Sequence, residues 1–313
     1  MSGRRIDFHH HMMPPAYMRE AKEQVVAAST GIVTDMTWSP EMSLANMDAA
    51  GIDAAVLSMA TPGIWFGDRK QAERLARVCA EFGAETKAHW PRRFAYLAPL
   101  PLPDVEDSLA MIDRAFDELD ADGVCLLSSY GDTWLGDPMF ANVFDALDRR
   151  AAIVFVHPTT PPACTNIVRG LPDAILEFLF DETRAITSLL YSGTFSRCQN
   201  IRFVFTHGGA ALPGLAHRIG HALTRLPHLA ARVPEGAEAI FSRLCFDMTN
   251  SGSRMHLAAL PHLVPPENLL YGSDYPFIGV DVTWKQLVGA GLDDAGLERM
   301  ASVNPLRLIP QLA

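Results

Sequence analysis

The sequence predicts a (β/α)₈, or TIM, barrel that extends over residues 1–313 as a single domain. Eight short apolar segments alternate with longer segments of helical periodicity. Most of the eight are almost continuously apolar, which is typical of parallel strands buried on both faces. A doubly wound open sheet is the alternative. However, the chain lacks both G-x-G-x-x-G after an early strand and G-x-x-x-x-G-K-[ST], the glycine motifs of nucleotide-binding open sheets.

The predicted strands are short and rich in β-branched and aromatic residues. In chain order they are Ile6–His11, Asp53–Met59, Phe94–Leu102, Gly123–Ser129, Ala152–His157, Ile201–His207, Leu244–Thr249 and Asn268–Ser273. In a parallel barrel, the carboxyl ends of all eight strands meet at the same rim. Active sites of such barrels are built at this rim.

Helix signals fill the segments between these strands. The predicted helices are Pro40–Ala50, Arg69–Phe82, Asp104–Leu119, Pro138–Arg150, Leu176–Ser192, Leu212–Leu226, Ser253–Leu263, Trp284–Ala290 and Asp294–Ser302. Gly51, Gly83 and Gly193 are interpreted as helix ends, since glycine favours the left-handed position that follows a helix. Two long connections, Met12–Pro40 and Thr159–Ala174, leave the carboxyl ends of strands, and we expect them to form a lid or a pocket wall.

Composition and charge exclude several classes of function. The chain has 36 acidic and 26 basic residues, a formal net charge of −10, which argues against binding to nucleic acid or to an anionic membrane. No apolar run is long enough for a transmembrane helix, and the first residues lack the features of a secretory signal. The five cysteines include no C-x-x-C pair, so we expect no disulfide framework and a cytoplasmic location.

Three consecutive histidines end the first predicted strand. Because side chains alternate along a strand, His9 and His11 share one face and His10 points to the other. Two imidazoles one strand repeat apart can hold one metal ion. For this motif alone, a chance run of histidines is the alternative interpretation.

Three later strands lead to further possible metal ligands. His157 and His207 are the last residues of apolar strands, and Asp274 directly follows the last strand. A buried core histidine or a turn cap would explain any one of them singly. Their shared position at the barrel rim indicates a metal site instead, because neutral imidazole is a common ligand of divalent ions.

The candidate set contains more side chains than one ion requires. It consists of His9, His11, His157, His207 and Asp274. Three or four of them would hold the ion in an open, catalytic site completed by water. One of the others, most simply His207, would act as an acid or base. The fourth strand offers no lysine or glutamate to bridge two ions, and no G-x-S-x-G motif marks a nucleophilic serine.

Taken in order, these motifs resemble those of the amidohydrolase superfamily. They are D-x-H-x-H at Asp7–His11, V-H-P at Val156–Pro158, T-H-G-G at Thr206–Gly209 and G-S-D-Y-P at Gly272–Pro276. The chain looks most like the branch typified by 2-amino-3-carboxymuconate-6-semialdehyde decarboxylase. Other segments are similar to parts of 6-methylsalicylate decarboxylases, namely Ser128–Asp132, Trp134–Pro138 and Val154–Thr159.

The resemblance implies roles for individual residues. The ligands of one divalent ion match His9, His11, His157 and Asp274, and His207 matches a residue that assists proton transfer. Arg218 matches an arginine that binds the substrate carboxylate, in some members across a dimer interface, which implies a homodimer. Related decarboxylases of γ-resorcylate and 5-carboxyvanillate replace the first H-x-H by E-x-A. Because this chain keeps both histidines, Zn²⁺ is favoured over Mn²⁺.

The implied activity is non-oxidative decarboxylation of a small aromatic or enol-type carboxylic acid, with Asp274 or His207 as the proton donor. Trp65, Tyr130 and Phe277 are candidates for the wall of the substrate pocket. Two alternatives stay open. A mononuclear hydrolase of an amide, ester or lactone needs the same ion and the same acid or base. A non-enzymatic metal-binding scaffold needs only the ion.

Overall fold

The computed structural model describes residues 3–28 and 37–313 and contains ten strands. They are β1 (Ile6–His11), β2 (Ala54–Ser58), β3 (Phe94–Pro99), β4 (Gly123–Leu127), β5 (Ser129–Tyr130), β6 (Thr133–Trp134), β7 (Ile153–His157), β8 (Arg202–Phe205), β9 (Cys245–Asp247) and β10 (Leu269–Leu270). All except β5 and β6 form one parallel sheet in chain order, and β5 and β6 form a separate antiparallel hairpin.

The parallel sheet closes on itself where β1 meets the end of β10. The Phe8 amide donates to the Tyr271 carbonyl at 2.8 Å, and the Asp274 amide donates to the His9 carbonyl at 2.8 Å. The predicted (β/α)₈ barrel is thereby confirmed. This seam also places the first and last strands of the chain side by side.

Helices surround the barrel. They are α1 (Pro15–Ala28), α2 (Pro40–Ala50), α3 (Arg69–His89), α4 (Val105–Asp117), α5 (Ala141–Arg149), α6 (Asp173–Ser192), α7 (Thr194–Arg197), α8 (Leu212–Arg225), α9 (Pro227–Ala230), α10 (Ala237–Phe241), α11 (Arg254–Ala259), α12 (Val282–Ala290), α13 (Asp294–Glu298) and α14 (Asn304–Leu308). None of these described helices combines the length and apolar character needed to cross a membrane.

Capping residues explain where several helices begin and end. The side chains of Ser39, Asp68 and Asp104 accept hydrogen bonds from the first-turn amides of α2, α3 and α4. Gly51 and Gly193 take the left-handed conformation after α2 and α6, as predicted. These caps satisfy backbone groups that the helices leave without partners.

One predicted helix end is wrong. Gly83 lies inside α3, which continues to His89. A Cβ atom at this position would come within 2.5 Å of the Tyr96 ring on β3. The glycine therefore allows the helix to pack closely on the barrel, and close packing, not chain reversal, explains its presence.

Several elements were not predicted or have different bounds. Helix α1 lies within the predicted connection Met12–Pro40, because Pro15 begins a helix there instead of only ending a strand. The β5–β6 hairpin and helices α9 and α10 were also missed. Strand β8 ends at Phe205, so His207 belongs to the turn after the strand and not to the strand itself.

Candidate active site

Four of the predicted side chains form one buried cluster at the rim. His9, His11, His157 and Asp274 each offer a ligand atom, and these atoms all lie within 4.8 Å of one another. His9 Nε2 lies 2.9 Å from His11 Nε2, and His11 Nε2 lies 2.9 Å from Asp274 Oδ1. Although 265 positions separate His9 from Asp274, their side chains meet because they occupy the two sides of the barrel seam.

The far side of each imidazole is anchored by a different group. His9 Nδ1 donates to Asp247 Oδ2 at 2.9 Å, and His157 Nδ1 donates to the Pro158 carbonyl at 2.8 Å. His11 Nδ1 lies 3.1 Å from the Ser58 hydroxyl. These bonds fix the ring orientations and leave the Nε2 atoms of His9 and His157 as electron-pair donors toward the cluster.

The electrostatics of the cluster suit a cation. Burial lowers the pKa of His11 and holds that of His157 well below its ordinary value. Burial also acts to lower the pKa of His9, but the adjacent Asp247 carboxylate outweighs it and raises that pKa to about 9. Burial opposes ionisation of Asp274, yet the bond from His11 and the nearby His9 hold its pKa below the usual range.

The donor set therefore fits one divalent ion. The raised pKa of His9 shows that positive charge is favoured at this place. A divalent cation bound there would interact with the surrounding imidazole nitrogens and carboxylate oxygen more strongly than a proton does. Three imidazoles and one carboxylate match the ligand preferences of first-row divalent metals. The residues present therefore fit a divalent ion, without distinguishing Zn²⁺ from Mn²⁺.

His207 lies beside the cluster. The centre of its ring is 5.7 Å from that of His9 and 6.2 Å from that of His157. Phe203 and Phe205 pack against Phe195 of α7, so continued strand alternation would turn residue 207 toward the helices. The left-handed conformation of His207 (φ 52°) brings its ring to the barrel mouth instead.

A cavity of about 680 Å³ opens above the cluster. Its lining includes His157, His207 and Asp274, and Phe178 and Phe277 contribute aromatic wall. Polar side chains also line it, namely Asn250, Ser251, Ser253, His256 and Gln286. A cavity of this size, with a few convergent polar groups, is typical of a small-molecule site.

The predicted wall residues separate into two groups. Phe277 lines the cavity, and its ring centre lies 5.6 Å from that of His11. Trp65 and Tyr130 are not among the described residues that line it: Trp65 packs on the core. Tyr130 is buried, and its hydroxyl accepts the Leu127 amide at 3.1 Å. The structure thus places neither ring in the wall of this cavity, because both rings pack against other residues of the barrel.

Arg218 is exposed on α8, away from the cavity. It lines a separate groove with Trp134, Phe180, Arg184 and Ile219. Within one chain, the structure therefore does not bring Arg218 to the four-residue cluster.

The two long connections contribute only partly to the cavity. Ala28 and Ala174 line it, and Thr159, Thr160 and Asn166 line an adjoining space. Residues 29–36 of the predicted connection Met12–Pro40 lie outside the described residues. The prediction of a lid therefore stays a prediction, while a part of the pocket wall is observed.

Sequence reasoning missed the anchoring residues Asp247 and Ser58. Asp247 is fully buried on β9, where its second oxygen accepts the Thr249 amide at 2.9 Å. A signal was present, since an acidic residue in an otherwise apolar strand is rarely buried without a partner. Ser58 ends β2, and serine at a strand end carries no comparable signal.

Comparison with known proteins identifies the family of this chain. The sequence model of the Amidohydrolase family matches residues 6–311. A 6-methylsalicylic acid decarboxylase of Aspergillus aculeatus is 31% identical over 320 residues, which cover 98% of this chain and 96% of that protein.

Solved structures share the fold. An amidohydrolase structure superposes with a TM-score of 0.87 at 28% identity and covers 98% of this chain and 99% of its own. The 5-carboxyvanillate decarboxylase of Novosphingobium aromaticivorans, solved with manganese, gives 0.88 at 18% identity and covers 99% and 96% of the two chains. The barrel, the clustered histidines and aspartate, and the match along almost the entire sequence lead to one conclusion: this chain belongs to the amidohydrolase family.

Proposed function

We propose that this chain is a metal-dependent carboxy-lyase that removes CO₂ from a small aromatic carboxylic acid of the hydroxybenzoate type, such as 6-methylsalicylate. The observation that carries the proposal is the convergence of His9, His11, His157 and Asp274 beneath a cavity that His207 also lines. Support comes from the Aspergillus relative, which is named a 6-methylsalicylic acid decarboxylase and aligns along nearly its whole length.

The four clustered residues would hold the ion. When bound, a divalent ion polarises oxygen atoms of the substrate and fixes its pose. The apolar wall that includes Phe178 and Phe277 excludes water from one side of the ring and strengthens the electrostatic interactions in the cavity. The reacting carbon is thereby held next to a proton donor.

We assign proton donation to His207. Asp274 Oδ1 is engaged with His11 at 2.9 Å, whereas His207 lines the cavity outside the four-residue cluster. A proton moves from His207 to the ring carbon that bears the carboxylate. The carbon–carbon bond then breaks, its electron pair restores the aromatic ring, and CO₂ leaves. His207 regains a proton from solvent.

The test combines metal analysis with product analysis. The purified chain is expected to hold one divalent ion and to release CO₂ and the matching phenol from one or more members of a hydroxybenzoate panel. Chelation and the substitution H157A are both expected to abolish this release, and H207N to reduce it by about 100-fold or more. Val288→Ala, which shortens an exposed side chain of α12, is a control that should retain activity.

Two outcomes would contradict the proposal. Incorporation of ¹⁸O from water into a product carboxylate, without CO₂, would identify the hydrolase of amides, esters or lactones instead. Activity that persists after chelation and in H157A would separate the reaction from the metal site altogether.

We infer that the ion is Zn²⁺ and not Mn²⁺. Support comes from the ligand set, since three imidazoles with a single carboxylate suit zinc better than an oxygen-preferring ion. Reconstitution of the chelated enzyme with each ion tests this. Higher affinity and activity with Zn²⁺ are expected, and activity with Mn²⁺ alone would overturn the inference.

We also propose that the chain forms a homodimer. Apolar side chains are exposed on α6 and on the loop before it, namely Ile167, Val168, Ile175 and Phe180, and Ile175 also lines the cavity. Their exposure supports an interface. Arg218 lies in a groove with Phe180, so any contact with substrate would be made in a neighbouring subunit. Light scattering after gel filtration should give twice the chain mass, and a monomeric mass would contradict the proposal.

A cytoplasmic location is proposed as well. All five cysteines are unpaired and buried, which supports a reducing compartment. Imaging of a fluorescent fusion in the native cell tests this, and an extracytoplasmic signal would overturn it.

A further inference from the structure

A buried carboxylate that the mechanism above does not use lies behind His207. Glu182, on α6, is fully buried. One of its oxygens accepts the Thr206 backbone amide, and the Thr206 hydroxyl lies 3.0 Å from both carboxylate oxygens. Among the described residues, His207 is the basic side chain within ion-pair distance, with Nδ1 3.6 Å from Glu182 Oε2.

The hydroxyl of Thr206 connects the carboxylate to the imidazole. Thr206 Oγ1 lies 2.6 Å from His207 Nδ1. A hydroxyl has a single proton, and a carboxylate can only accept. Thr206 therefore donates to Glu182 and accepts from Nδ1–H of His207. This arrangement selects one tautomer and leaves Nε2 as the nitrogen available to a substrate in the cavity.

We propose that Glu182, acting through Thr206, is a positioning residue for His207: it fixes the Nδ1–H tautomer and stabilises the imidazolium from which Nε2 donates its proton. The inference rests on the proposed function in so far as that function makes His207 the donor. Its physical basis is that a carboxylate in a buried site interacts with a nearby imidazolium more strongly than it would in water. Burial by itself raises the pKa of Glu182, and the contacts with His207 and the Thr206 amide act in the opposite direction.

The same helix offers a matched control. Glu177 is also buried on α6, at 6% exposure. Its nearest basic side chain is Arg184, at 3.7 Å, and it is not among the residues that line the cavity. Glu177→Gln therefore makes the same chemical change in the same helix without altering His207.

Kinetics test the proposal with two pairs of variants. E182Q and T206V are expected to lower kcat by about 10- to 100-fold with little change in KM and no change in bound metal. E177Q and T206S, which keep the connection to His207, should stay within about twofold of wild type. In an H207N background, E182Q should cause no further loss, since the two residues act as a unit.

A spectroscopic measurement separates this inference from the proposed activity. In ¹⁵N NMR of histidine-labelled protein, with the His207 signal assigned by its loss in H207N, the wild type should show the Nδ1–H tautomer. E182Q and T206V should shift the tautomer ratio, and E177Q should not. If no substrate is decarboxylated but this shift occurs, the function fails and the inference stands.

The opposite result overturns the inference. Unchanged kcat and unchanged His207 signals in folded E182Q would show that Glu182 only supports the turn. If E182Q does not fold, T206V and T206S decide the question, because valine preserves the shape of threonine and serine preserves its hydroxyl. Equal activity and equal His207 spectra for these two would also overturn it.

Discussion

At the scale of single residues, the orientation of each imidazole depends on a partner outside the cluster. Asp247, Ser58 and the Pro158 carbonyl hold the far nitrogens of the three clustered histidines. Such partners set the tautomer and the direction of a ligand before an ion arrives. The carboxylate contact is expected to matter most, since a bond to a charged group is stronger than a bond to a neutral one.

We therefore predict that Asp247→Asn weakens metal binding by about 10- to 100-fold. The asparagine keeps the shape of the side chain but removes the charge that supports His9. Competition with a chromophoric chelator measures the affinity. Asp122→Asn is the control, since Asp122 precedes β4 at the opposite end of the barrel and pairs with Lys87 at 2.9 Å. An affinity equal to that of wild type in the Asp247 variant would contradict this account.

Some of these residues are readable from the sequence and others are not. Strand alternation alone predicts that His9 and His11 share a face and His10 does not. In the structure, His10 turns away to Asp7 and Ser43, at 2.9 Å from each. By contrast, His207 and Asp274 reach the site through left-handed backbone, with φ of 52° and 67°. Such conformations do not follow from residue patterns.

At the scale of elements, the turn after β8 determines where His207 lies. Gly208 and Gly209 have φ of 63° and 76°, in the left-handed region. A Cβ atom on Gly208 would collide with the ring of His256. That ring is held in place, since its Nε2 lies 2.8 Å from the Gly208 carbonyl oxygen. Glycine is thus required here both by the backbone conformation and by the neighbouring ring.

Gly208→Ala is expected to destabilise the chain by about 1 to 3 kcal/mol and to reduce activity by displacing His207. Gly214→Ala is the comparison, because Gly214 lies in α8, where an added Cβ atom would meet no other group within 4 Å. That change should stabilise the chain by about 0.5 to 1 kcal/mol. Urea denaturation measures both, and equal effects would refute the argument.

The barrel seam depends on Asp7. One of its oxygens accepts the amides of Ser273, at 2.9 Å, and His9, at 3.1 Å. The other accepts the Ser273 hydroxyl at 2.5 Å and lies 2.9 Å from His10 Nδ1. A single carboxylate thus fastens β1 to the backbone immediately before Asp274.

We expect Asp7→Ala to lower the free energy of unfolding by about 3 to 5 kcal/mol, since it leaves several buried donors without a partner. The matched control is Asp53→Ala, which removes an exposed carboxylate that accepts the Arg5 amide at 2.7 Å near the start of the same strand. It should cost only about 0.5 to 1.5 kcal/mol. Chemical denaturation measures both. Similar losses of unfolding free energy in the two variants would show that Asp7 contributes no more to stability than an exposed carboxylate does.

Elements with strong periodicity and caps were predicted well, and short or closely packed ones were not. Helix α2 agrees with its prediction, as do the glycine ends of α2 and α6. The predicted helix end at Gly83 was wrong, because a glycine that permits close packing looks the same in sequence as one that ends a helix. Strand β10 has only two residues, since much of its predicted length takes part in the irregular backbone around Asp274.

At the scale of the whole molecule, the alternation of strands and helices was sufficient to predict the barrel and the rim at which the histidines gather. The shape of the cavity was not predictable, because Trp65, Tyr130 and Phe277 are equivalent in sequence while only Phe277 lines the cavity. Packing of distant elements decides such placement.

The five cysteines are all buried, as is expected of residues that fill the core.

Their burial predicts slow thiol chemistry. Burial raises the pKa of Cys125 to about 12 and that of Cys245 to about 11, so few thiolates form at pH 8. The native chain should react with Ellman's reagent far more slowly than the urea-unfolded chain, which should release five equivalents. Rapid reaction of several thiols in the native chain would contradict the burial described above.

The seam between β1 and β10 also sets the order of events during synthesis. His9 and His11 leave the ribosome together, whereas Asp274 follows 265 residues after His9. A nascent chain therefore lacks the complete set of four ligands until Asp274 has emerged. We expect the ion to be acquired only after that point, because the two sides of the seam can meet only when both have been synthesised.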